Sequence, residues 1–172
     1  MRKLRSTRQL NAYGLVKYNC AVDNHITMSQ TNVQFSVASH VMAALGAHDG
    51  EPLRSSELAS SVNAEPSFVR RVIAKLARAG LVTTTRGKSG ACLLAKRPSQ
   101  ISMLDIYRAS EAPAAFVVHA YPMNEGCDVS RNIKGCMESV LQQAQSGFEK
   151  ELARQTLEDV VSMIRSNRRV RR

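Results

Sequence analysis

Val33, Val37 and Val41, with Ala38, Ala44 and Leu45 beside them, recur at three- and four-residue spacing. That spacing predicts an amphipathic helix over about Asn32 to Ala47, stopping near Gly46, Asp49 and Gly50. A short helix is expected over Ser56 to Val62, with Ser55 as N-cap, Glu57 in the first turn and Leu58, Ala59 and Val62 inward. Asn63 and Ala64 make a turn. Pro66 opens a third helix where its missing N–H costs nothing, Val69, Val72, Ile73 and Leu76 form its stripe, and Gly80 closes it. The order is helix, tight turn, helix.

Two β-prone runs follow, Leu81 to Thr85 and Cys92 to Ala95, around Arg86-Gly87-Lys88-Ser89-Gly90. They predict a hairpin with a basic tip, a wing behind the second helix of the pair. A further helix is expected over about Ser102 to Ala109, whereas Glu111 to Ser130 has little periodicity and reads as a loop or broken helix. From about Arg131 the pattern returns: Ile133, Met137, Val140, Leu141, Ala144, Phe148 and Leu152 lie on one face of a helix near twenty residues long. Thr156, with Asp159 three residues on, caps a last helix carrying Leu157, Val160, Val161 and Ile164. The fold class is mainly α with a small β-hairpin: a winged helix-turn-helix plus a long helix whose stripe suggests a second copy of the chain.

The domain division expected is 28–110 for the winged helix-turn-helix, 111–130 for a sensor loop and 131–164 for dimerisation helices. Residues 165–172, with five arginines, read as a disordered tail. Residues 1–27 are basic and unpatterned, expected to be disordered or a mis-assigned extension with Met28 as initiator.

Charge sharpens this division. The chain carries +10 overall, and Pro66 to Arg97 holds eight basic residues and no acid, while Pro98 to Ile164 holds nine acidic against five basic. The first stretch makes a cationic surface suited to phosphates, and the second stays off them. No apolar run reaches the roughly 18 residues of a membrane span, so no membrane partner and a cytoplasmic location are expected. Cys20, Cys92, Cys127 and Cys136 are too few and too spread for a disulfide framework.

For duplex DNA, the candidate contacts are Ser67, Phe68, Arg70, Arg71, Lys75 and Arg78, which lie off the apolar stripe of the third helix, and Arg86 and Lys88 of the wing. Catalytic candidates are lacking. There is no phosphate loop, no nucleophile elbow, and His25, His40, His48 and His119 are scattered. No metal site is expected, because the spacing from Cys127 to Cys136 is wrong for zinc and too few cysteines lie together for an iron–sulfur cluster. Cys136, beside Met137 on the long helix, reads as a small buried hydrophobe. Cys127, in a polar loop before a helix start, reads as a reachable thiol and the candidate redox sensor, with Cys92 or Cys136 as its resolving partner.

The stretch "LASSVNAEPSFVRRVIAKLARAGLVTTTRGKSGACLLAKRPSQISMLDIYRA" and the later "CDVSRNIKG" and "TLEDVV" resemble the Rrf-two family of bacterial winged-helix regulators. That family includes iron–sulfur regulators of the IscR and NsrR type and the cluster-free CymR type. The resemblance implies a homodimer formed through the long helix, with the third helix in the major groove and the wing in the minor groove. Cluster-bearing members have three close cysteines before the long helix. This sequence has only Cys127 there, which places it nearer the cluster-free, thiol-sensing members. The function expected is a homodimeric, redox-responsive repressor that binds a duplex operator and holds no cofactor. Two alternatives stay open: an iron–sulfur sensor of the same family, and a regulator that acts on a partner protein without binding DNA.

Overall fold

A computed structural model describes residues 33–85, 90–118 and 122–170. The N-terminal segment 1–27, the wing-tip residues Arg86 and Lys88, and His119 lie outside the described residues, as do the last two arginines of the expected tail.

Helix α1 (Val33–Ala47) runs through the middle of the molecule and packs against the helices on either side. The helix ends at Ala47 as expected, and Gly46, its last residue but one, is buried: a Cβ there would lie 3.0 Å from Val161 Cγ2, so the missing side chain lets the last helix approach. The chain turns afterwards, through Asp49 and Gly50, both at positive φ. A strand the apolar pattern does not signal comes next, β1 (Leu53–Arg54), too short for an alternation to show.

Helix α2 (Ser55–Val62) begins one residue earlier than expected, with Arg54 as N-cap rather than Ser55. The Glu57 carboxylate accepts from Arg54 N at 2.7 Å, so the expected acid in the first turn satisfies the backbone one residue further upstream. Asn63, at φ 53°, supplies the left-handed turn into α3 (Pro66–Arg78), and Gly80 at φ 69° ends it. Strands β2 (Val82–Thr84) and β3 (Ala91–Leu94) form the wing, and β1 adds to the other side of β3 to give an antiparallel sheet ordered β1-β3-β2.

After a 3-10 turn at Pro98–Gln100 come α4 (Met103–Ala109), α5 (Asp128–Arg154) and α6 (Leu157–Val170). Two matching capping boxes lie side by side: Ser102 with Asp105 starts α4, and Thr156 with Asp159 starts α6. Met103 N donates to Gln155 O and Leu157 N to Ile101 O, both at 2.8 Å, which joins the two helix starts. Leu157 and Val161 thereby enter the same core as Met42, Leu58, Leu76 and Ile106.

Three expectations about the C-terminal half are corrected. Helix α5 is 27 residues long and begins at Asp128, because Cys127 rather than a residue near Arg131 takes the N-cap position. Its apolar residues do not form one unpartnered stripe, since Phe148 and Leu152 pack on this chain's own domain. The helix α6 continues to Val170, so most of the expected disordered tail is helical, anchored by Arg165 to Asp49.

Candidate nucleic-acid interface

Helix α3 buries Val69, Val72, Ile73 and Leu76 and turns the opposite side to solvent. At 100° per residue, Ser67, Arg71, Ala74 and Arg78 follow one another along the outermost ridge, with Arg70 on its flank. Ser67, Arg70 and Arg71 are exposed, as the sequence pattern predicts. The start of the helix is ordered by Glu65, whose Oε2 accepts from Phe68 N at 3.0 Å and from the Ser67 hydroxyl. The Ser67 bond, the Phe68 N–H and the nearby Arg71 charge hold that carboxyl below the ordinary range. Arg71 lies over the Phe68 ring, 5.7 Å from its centroid, which fixes the guanidinium near the front of the helix.

Two of the expected outward groups are turned away from this ridge. Phe68 is half-buried against the core. Lys75, with a side chain 19% exposed, points toward α1 and α4: its ammonium donates to Gln34 Oε1 and to Ser110 O and lies 3.0 Å from Glu111 Oε2. Arg78 stays on the ridge but pairs with the same carboxylate at 3.3 Å. The Lys75 bond, with the charges of Lys75 and Arg78 behind it, holds the Glu111 carboxyl below its usual range. Glu111 carries no sequence signal for its role, since it pairs with residues of another element, and Glu65, whose bonds are local, is missed because glutamate is not among the usual N-cap residues.

On its wing side α3 faces the sheet across a groove of about 490 Å³, bordered by Arg70, Ala77, Thr84 and Gly90 and reaching Cys92. Cys92 is buried in β3, and burial raises its thiol above the ordinary value, which makes it a packing residue and removes it from the accessible thiols. Cys136 is the reverse of its expected reading: it is exposed on α5. Cys127 is half-buried at the N-cap of α5. The structure does not bring these three sulfurs together as a sensing cluster.

After α4, residues 113–118 lie against α4 and α5. Tyr107 is held edge-on between Phe35 and Phe148, at 5.3 and 5.4 Å, its hydroxyl donates to Pro113 O, and Gln145 receives Ala115 N. Of the long-helix residues expected at a dimer seam, Ile133 and Leu141 are half-buried, while Met137, Val140 and Ala144 are exposed.

Residues 31–163 match Rrf2, the Rrf-two family, described as an iron-dependent transcriptional regulator. The chain belongs to the Rrf2 family. YwnA of Bacillus subtilis (strain 168), named as an HTH-type transcriptional regulator, is 35% identical over 132 residues, covering 76% of this chain and 96% of YwnA. The crystal structure of a protein described as DNA-binding shares 34% identity at a TM-score of 0.59, covering 74% of this chain and 97% of that one. CymR, the global cysteine regulator of B. subtilis, shares the fold at a TM-score of 0.55 and 23% identity, over 76% and 94% of the two chains.

This Rrf2 protein is a transcriptional regulator built on a winged helix DNA-binding fold, and not an enzyme. Its described cysteines do not fit an iron–sulfur cluster within one chain, which needs three or four converging ligands. Cys136 lies nine positions beyond Cys127, about 13 Å along the helix axis, and Cys92 sits inside the sheet. Among the described residues no group of three or more His, Cys, Asp or Glu is placed to hold a metal, and no helix is long and apolar enough to cross a membrane.

Proposed function

We propose that this Rrf2 chain is a homodimeric repressor that binds a two-half-site duplex operator without a resident cluster and releases it when Cys127 is oxidised. The observation that carries the dimer is α5, a helix about 40 Å long in which no residue is fully buried by its own chain. Val129, Met137 and Val140 on it are exposed apolar groups, which a second α5 would cover. Pairing about a two-fold axis sets two copies of the Ser67–Arg71 ridge facing half-sites about 34 Å apart. Arg70 and Arg71, with Arg86 and Lys88 of the wing, then supply the cations for bases and phosphates.

Cys127 suits a peroxide sensor through its position. Cys127 is half-buried and takes the N-cap position of α5, at the junction between the α4–α5 segment and the long helix. The thiolate attacks one peroxide oxygen, the O–O bond breaks, and the products are a sulfenic acid and hydroxide, which a proton converts to water. A polar sulfenic acid at the root of α5 changes the seating of the dimer helix and hence the half-site spacing.

The test combines sedimentation with fluorescence anisotropy on duplexes from the gene's own upstream region, in the presence and absence of hydrogen peroxide. A dimer with saturable, salt-sensitive binding is expected, lost on oxidation by wild type and retained by Cys127→Ser. Absence of binding to any duplex favours action on a partner protein. Equal peroxide sensitivity in Cys127→Ser removes Cys127 from the mechanism, and a brown protein isolated without air restores the cluster.

A further inference from the structure

Glu65 is an uncommon residue for the start of a helix. Serine, threonine, asparagine and aspartate cap best, because their short side chains fold directly back onto the first free N–H groups. Glutamate must order one more methylene for the same bond. It is also the one acidic residue between Leu58 and Leu104, in the stretch that carries the basic DNA-facing surface. An acid there weakens attraction to the phosphates of every sequence alike. Neither helix stability nor general affinity accounts for it.

Its surroundings point to the bases. The carboxylate is exposed, and it is held by Phe68 N and by the hydroxyl of Ser67, the first residue of the outer ridge. Arg71, one turn further along that ridge, is itself fixed over the Phe68 ring. An acceptor and a donor fork are therefore pre-positioned together at the end of α3 that enters the groove first.

We propose that Glu65 is a specificity-determining residue for operator recognition, its carboxylate accepting from the N4 amino group of a cytosine in the major groove; this rests on the DNA-binding function proposed above. A carboxylate only accepts. Guanine N7 and O6, thymine O4 and the phosphate oxygens also only accept, so each repels it, and adenine N6 is flanked by the acceptor N7. Cytosine N4 is the donor without that neighbour. Arg71 complements it by donating to guanine O6 and N7. The bonds from Ser67 and Phe68 favour the ionised form, so the group remains an acceptor at neutral pH.

The experiment separates reading from capping. Wild type, Glu65→Asn and Glu65→Gln are each used to select duplexes from a random pool. Affinities for the wild-type-selected duplex and for a random-sequence duplex are then measured across salt concentrations, with Tm alongside. Asparagine caps well, so Glu65→Asn keeps its Tm. Its ratio of selected to random affinity falls on the order of tenfold, its random-duplex affinity rises, and a cytosine preference disappears at one position per half-site. Glu65→Gln shifts that position toward adenine, which glutamine reads through N6 and N7. If both variants select the wild-type motif with an unchanged ratio, or if Tm and all affinities fall together, Glu65 is a cap alone. Wild-type protein that binds neither duplex overturns the DNA-binding reading and this assignment with it.

Discussion

Arg71 and Lys75 are four positions apart on one helix, and their surroundings give them opposite roles. Arg71 stands on the outer ridge over the Phe68 ring, while Lys75 lies under α4, held by Gln34, Ser110 and Glu111. Arg71→Ala is expected to weaken binding to a selected operator by about 1–3 kcal/mol at unchanged Tm, the scale of one bidentate base contact. Lys75→Ala is expected to lower Tm, because it leaves a buried carbonyl and an amide without their donor, at about 1–3 kcal/mol. Its salt dependence of DNA binding stays that of wild type. Anisotropy at several salt concentrations and thermal melts of both variants check this, and a shallower salt slope for Lys75→Ala would return that lysine to the phosphates. The apolar stripe placed both residues off the core side, but only the neighbouring helices distinguish the ridge from the flank.

Between elements, the packing of α1 against α6 depends on a single small residue. A methyl group at Gly46 meets Val161 Cγ2 at 3.0 Å, and both belong to well-packed helices. Gly46→Ala is expected to cost about 1–3 kcal/mol as α6 is pushed outward, read as a fall in the denaturation midpoint. A neutral result would mean that α6 gives way freely. Helix α5 presents two different faces. Phe148 meets Tyr107 of its own chain, whereas Val140 is 55% exposed and Met137 39%. Val140→Glu is expected to yield a folded monomer by sedimentation with an unchanged melting profile at low concentration. Phe148→Ala loosens α5 from α4 and is expected to destabilise each chain by about 1–3 kcal/mol, less than a fully buried aromatic because Phe148 is half-buried. If Val140→Glu remains dimeric, the partner covers another face.

For the whole molecule, the carboxylates that tie elements together share one pH behaviour. Glu111 is lowered by its Lys75 bond, Glu149 by the bonds from Gln145 and then Arg108, and Asp159 by the Thr156 hydroxyl and then its N–H. A carboxyl whose folded value is depressed contributes stability in full above its unfolded value, about 4, and loses it as pH falls through the lower folded value. Stability is therefore expected to be flat above about pH 5 and to decline on acidification below about pH 4, as denaturant midpoints across that range would show. Loss beginning near pH 6 would require histidine titration instead. Because Glu111 and Asp159 are exposed and Glu149 is only half-buried, salt weakens their individual contributions.

Much of this architecture was legible in local pattern. The helix-turn-helix, the wing strands, the Thr156 cap and the basic stretch over Pro66 to Arg97 all rest on spacing within a few residues, which periodicity, capping chemistry and charge encode directly. Beyond their reach lay whatever depends on a neighbour distant in the chain. Strand β1 exists because β3 pairs with it, Gly46 is buried because α6 returns to α1, and the basic tail is helical as far as Val170 as an extension of a helix docked in the core. The same reason covers the site: Lys75 and Arg78 look alike as free cations until Glu111, more than thirty residues on, is folded against them. Local residue type supplies a charge, and tertiary packing decides whether that charge is left for DNA.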